Sequence, residues 1–173
     1  KGKTITMIVG PAPGGDYELA ARLVGKYLVQ HLPGNPGVLV QNMPGAGGIA
    51  AINHMYNVAA KDGTATAVMQ RAMPQLAYIG TEGVRFDPNK FTYLGTMSSY
   101  AGDAFPLFIR SERPVQSWQD ITAEGGQKVV MGAVGTGSTN LTFPLIAKNA
   151  LHLNIDVIRG YSGATAIYLA MER

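Results

Sequence analysis

The chain of 173 residues contains no cysteine. That absence removes disulfides, zinc–thiolate centres and thiol nucleophiles together. Charge is also sparse: 14% of residues are Asp, Glu, Lys or Arg, against about 25% in an ordinary globular domain. With 46% hydrophobic residues, the chain is not a disordered or solvating segment. The net charge of +3 comes from scattered lysines and arginines. With no basic stripe or patch, the pattern argues against a nucleic-acid partner. No apolar run approaches the roughly 18 residues needed to span a bilayer. Catalytic signals are scarce as well. No Gly-x-Ser-x-Gly elbow is present, and no carboxylate pair stands out. His31, His54 and His152 lie far apart, without partners at metal-ligand spacing. The reading therefore assigns no catalytic residue, no metal and no cofactor.

What the chain has in excess is glycine, 22 residues in all, nearly twice the usual share of about 7%. Most of these glycines stand in turns between periodic segments. Residues 5–9 form a short apolar run of strand length. Residues 16–32 carry apolar side chains at Leu19, Leu23 and Tyr27, and again at Ala20, Val24 and Leu28, which is helical spacing. Glu18 and Arg22 stand four apart in the favourable order for a helical ion pair. Further strands are expected at 38–40, 65–69, 128–131 and 155–159. Helices are expected at 49–58, near 115–121, from Ser138 or Thr139 to about 151, and from 164 onward. Segments 91–97 and 104–110 read as extended, and the crossing between two lobes is placed near 98–103. Alternating strands and helices predict an α/β fold with parallel sheets and covering helices. The N-terminus, without methionine or a signal-like segment, reads as processed or trimmed. The last helix carries no stop signal, so the chain is expected to continue past Arg173 in its natural form.

The device that repeats is strand, glycine turn, helix. It occurs at Val9-Gly10-Pro11-Ala12-Pro13-Gly14-Gly15-Asp16 and at Met131-Gly132-Ala133-Val134-Gly135-Thr136-Gly137-Ser138-Thr139. Such a turn exposes backbone N–H groups with the positive end of the helix dipole behind them, and so attracts anions. The first turn has the glycine spacing of a phosphate-binding loop, but Asp16 and Tyr17 stand where a lysine and a hydroxyl residue are required. The second, Gly135-x-Gly137-x-x-Asn140, lacks the third glycine of a dinucleotide fingerprint. Both turns therefore point to a small anion rather than a nucleotide.

These residues also carry a family resemblance. Pro11-Ala12-Pro13-Gly14-Gly15 followed by Ala21-Arg22, then Gln41-Asn42-Met43-Pro44-Gly45-Ala46-Gly47-Gly48, then Lys61-Asp62-Gly63-Thr64, resemble the substrate-binding proteins of tripartite tricarboxylate transporters, the Bug-type periplasmic receptors. The segments from Gly132 to Thr139 and from Gly160 to Gly163 agree with it. The resemblance implies a periplasmic-binding-protein-like, two-lobed clamshell, each lobe a mainly parallel sheet flanked by helices. The first lobe would be residues 1–100 and the second 101–173, with a return segment of the first lobe missing from the chain. It implies a carboxylate held by Ala12, Pro13, Gly14, Gly15, Asp16 and Tyr17 on one side. Gly135, Thr136, Gly137, Ser138, Thr139 and Asn140 would hold it on the other. Gln70, Arg71 and residues 98–100 would line the cleft, and Tyr161 with Ser162 and Gly163 would close it. Arg71, just past the third strand, is the expected direct charged contact.

By the same resemblance the protein would be exported to the periplasm, without signal peptide in this chain, and would deliver a small organic acid to membrane transporter subunits. Two departures stand out, Asp16 where the family has a third glycine and Glu18 where it has an aspartate. Asp16 either caps the helix or selects a ligand bearing a cationic group. The alternatives are an enzyme on the same scaffold acting on a carboxylate or phosphate, with Asp16, Glu18 or Asp103 as its acid or base, and a ligand-sensing module for a signalling partner.

Overall fold

The computed structural model describes residues 2–97, 102, 105–122 and 125–173. Parallel sheets dominate it. Strand β1 (Thr4–Val9) leads through the first glycine turn into helix α1 (Asp16–Leu28), then β2 (Gly37–Asn42), α2 (Ile49–Asn57), β3 (Ala65–Val68) and α3 (Met73–Tyr78). The sheet order is β2-β1-β3, and both pairings are parallel. β1 is central and its Ile5, Met7, Ile8 and Val9 are buried, as expected of a strand covered on both faces. β2 lies at the edge, with exposed and half-buried residues alternating.

The second sheet pairs β4 (Val129–Ala133) with β5 (Ile155–Arg159), again in parallel. Helix α4 (Gln119–Thr122) precedes it, α5 (Thr139–Ala150) joins its strands, and α6 (Ala164–Met171) follows. Each sheet has a core beside it. Ile49, Ile52, Met73 and Phe86 form the first, and Ile121, Val129, Leu153 and Ile155 the second.

Most expected elements are present within a residue or two. The first helix ends earlier than its periodicity predicts, at Leu28, and tightens into a 3-10 turn at Val29–His31. Residues 91–97 and 105–110 enter no sheet. Their side chains dock instead: Phe91 lies against Tyr56 and Phe86, and Phe108 against Tyr168. Helix α3 was not expected. Its sequence sign is Pro74 in the first turn, where a missing N–H costs nothing. The expected lobe crossing lies outside the described residues, apart from Gly102. Among the described residues no helix is long and apolar enough to cross a membrane.

Candidate functional site

Every strand-to-helix loop leaves the carboxyl end of a parallel strand, the side on which open α/β sheets bind ligands. These loops meet. A Cβ built on Gly10 would lie 2.8 Å from the Cα of Gly48, so the turn after β1 rests directly on the start of α2. A Cβ on Gly47 would lie 1.8 Å from the carbonyl oxygen of Thr136, so the turn after β2 rests on the turn after β4. Gly137 is packed in the same way on Met73 and Leu76 of α3. Gly48 thus touches the first glycine turn and Gly47 the second.

The first turn is closed from within. Glu18 is buried, and one of its carboxylate oxygens accepts the Gly14 N–H at 2.7 Å. The other accepts from Arg22 Nε at 2.8 Å and from its Nη2, the ion pair its spacing predicts. The Gly14 N–H first, and Arg22 second, hold the Glu18 carboxyl below the usual glutamate range. Asp16 is exposed at the first helical position, while Gly15 is the N-cap and no side chain caps the helix. Asp16 therefore does not play the capping role. Pro13 and Gly14 form the exposed rim beside half-buried Ala12, and Asn42 Nδ2 anchors the turn by donating to the Pro11 carbonyl at 3.1 Å. Tyr17 is half-buried in the first helical turn. The amides of Gly15 and Asp16 lie beyond the reach of intrahelical acceptors.

The second turn is also braced from within. Ser138 occupies the N-cap of α5, but its hydroxyl does not cap it. It donates to the Gly135 carbonyl at 2.6 Å and accepts the Gly135 N–H at 3.3 Å. The expected cap is replaced because the buried turn holds this carbonyl within reach of the hydroxyl. Asn140 Oδ1 accepts the Val134 N–H at 3.2 Å. Thr136 is exposed, Gly137 buried and Thr139 half-buried.

Gln70 is 3% exposed, and its Oε1 has no hydrogen-bond partner among the described residues. That oxygen presses on Gly48, where a Cβ would approach it to 2.2 Å. Arg71 is half-buried, its guanidinium 5.3 Å above the Phe105 ring, and Phe105 stacks on Phe143 of α5 at 4.5 Å. Tyr161 donates its N–H to the Ala133 carbonyl at 3.2 Å, and its ring packs against Gly132 of β4. Ser162 and Gly163 lead into α6. Residues 98–100 and Asp103 lie outside the described residues.

The residues missed by sequence reasoning are Gly47, Gly48 and Met73, which fill the junction, and Glu18 in its role at Gly14. The signal for Glu18 was there: a glutamate three residues after an N-cap is the capping-box spacing. Among the described residues no group of three or more His, Asp or Glu could hold a metal ion.

No protein-family model matches the chain. A UPF0065 protein of Cupriavidus necator, encoded in the gbd 5′ region, is 29% identical over 140 residues, which is 79% of this chain and 41% of that protein. Two solved structures share the fold. One is R. palustris Rpa4515 with adipate, at TM-score 0.64 and 20% identity; the other is a periplasmic transporter, at TM-score 0.70 and 22% identity. Each match covers 98% of this chain and 56% of the other. The chain therefore spans about half the length of the proteins it matches. By sequence the chain is similar to a UPF0065 protein, and it shares its fold with a periplasmic transporter.

Proposed function

We propose that the protein is a solute receptor of the periplasm, which captures a small organic carboxylate and hands it to membrane transporter subunits without making or breaking bonds. The observation that carries this reading is the meeting of the strand-to-helix loops of both sheets at Gly10, Gly47, Gly48 and Thr136. A ligand held there touches both halves, residues 1–100 and 101–173, as lobes of a clamshell. Only the closed arrangement makes both sets of contacts, so binding shifts the population toward it. The adipate in the R. palustris structure supports a carboxylate as ligand class.

The donors on the first side are the amides of Gly15 and Asp16 at the head of α1, since Glu18 has taken that of Gly14. Ala12, Pro13 and Tyr17 shape the rim. On the second side are Thr136, Gly137 and Thr139 at the head of α5, fixed by Ser138 and Gly135. Gln70 lies at the floor, Arg71 supplies positive charge beside Phe105, and Tyr161 braces the second half. Asp16, free of a capping role, favours a ligand that carries a cationic group beside its carboxylate, as an amino acid does. The enzyme reading gains nothing from the geometry: Glu18 is committed to Gly14 and Arg22.

The test is native mass spectrometry of the purified protein, followed by a thermal-shift panel of mono-, di- and tricarboxylates, amino acids and aromatic acids. A co-purified acid, or an upward shift with one class, is the expected result. Turnover of the bound acid would replace the receptor reading with an enzyme. Arg71→Ala is expected to weaken carboxylate binding, and unchanged affinity for every acid tested would remove Arg71 from the site.

A further inference from the structure

A groove of about 520 Å³ runs along α5 beside α3, within the range of about 300–1,000 Å³ usual for small-molecule sites. Its walls are aliphatic: Leu76 from α3, and Leu141, Leu145 and Ile146 from α5. Ile146 is 49% exposed, a large apolar side chain that no core covers. At the margin stands Arg159, the last residue of β5, exposed and without an ion pair or side-chain hydrogen bond among the described residues. By contrast, Lys128 and Lys148 both bind Asp156, at 2.6 and 3.1 Å. Among the described residues no carboxylate lines the groove, and the charge of Arg159 attracts an anion to its margin.

We infer that this groove binds an amphipathic carboxylate, its hydrocarbon body along α5 and its carboxylate at Arg159. The physical division of labour is plain. Burying the apolar body against Leu145 and Ile146 supplies most of the affinity. The exposed guanidinium adds a modest preference for the anion. The groove shares Thr136 and Gly137 with the loops that carry the receptor reading, but uses none of residues 12–17. Ile146 and Arg159, which the receptor reading does not use, therefore distinguish the two assignments.

The test is an NMR titration of the full chain, following backbone amides, with octanoate, 1-octanol and acetate. Octanoate is expected to shift the amides of α5 and Arg159, 1-octanol to bind the same residues about fivefold more weakly, and acetate not to bind there. Arg159→Gln should bring octanoate down to the affinity of octanol and leave octanol unchanged, a selectivity that a merely structural residue would not move. Ile146→Trp, which fills the groove, should weaken both. Equal affinity for octanoate and octanol, or octanoate shifts confined to residues 12–17, would overturn the assignment and leave the receptor reading intact. So would shifts of the α5 amides with protein concentration alone, which would give the groove to a second copy of the chain.

Discussion

Glu18 decides how much of the first glycine turn remains for a ligand. Its carboxylate fixes Gly14 and pairs with Arg22, both partners of the charged form. A carboxyl whose folded pKa lies below its ordinary value of 4.5 stabilises the fold above that value and loses the contribution as the pH falls through the folded pKa. Glu18→Gln is therefore expected to lower the melting temperature at pH 7 and to flatten the acid side of the stability curve; pH-dependent thermal melts of both proteins measure this. Asp62 behaves alike further down. Thr64, through its hydroxyl and its N–H, and then Lys3, hold it to about 2 from 3.8. Its contribution is present above pH 3.8 and fades toward pH 2. Asp62→Asn should remove that last acid-side slope while leaving the slope due to Glu18 in place.

Elements meet here through glycine rather than through side chains. Gly47 has φ +65° and would drive a Cβ into the Thr136 carbonyl. The backbone on both sides leaves no flexible atom to move aside. Gly47→Ala is expected to cost about 2–4 kcal/mol, from left-handed strain and overpacking together, and denaturant unfolding measures it. Within the turn before α5, Ser138→Ala should cost about 0.5–1.5 kcal/mol, because it removes the hydroxyl that bonds the Gly135 N–H and carbonyl, while the Ser138 N–H still donates to that carbonyl. The expectation that Ser138 caps α5 came from its residue type and place. The place was right and the bond was not, since the cap position alone does not say which carbonyl the folded turn brings near.

The molecule as a whole leaves much apolar surface in water. Leu19, Leu23 and Tyr27 form an exposed stripe on α1, and Phe108, Tyr168 and Leu169 a second patch at α6. Apolar patches of this kind drive association. The isolated chain is expected to self-associate with rising concentration, and Leu19→Lys with Leu23→Glu to reduce it; sedimentation velocity reads both. The same stripe shows the limit of periodicity. The helical spacing of α1 is legible in the sequence, but the face it buries is Glu18, Ala21 and Gly25. Gly25 lets the helix close on Val38 and Met7, where a Cβ would come within 2.9 and 3.1 Å. Small residues won the interior because they permit close approach, which a hydrophobicity pattern does not register.

The alternation of strand, glycine turn and helix, the parallel sheets, the ion pair of Glu18 with Arg22 and the family resemblance were all set by local sequence. Spacing, turn chemistry and motif order act over a few residues and need no knowledge of distant partners. Which turns touch was decided only in three dimensions. Gly47 reaches Thr136, Gly137 reaches Met73, and Arg71 stacks on Phe105 because separate segments converge at the carboxyl ends of two sheets. The groove along α5 and the unspent charge of Arg159 belong to that same level, since each depends on what the packed chain places beside it and what it leaves uncovered.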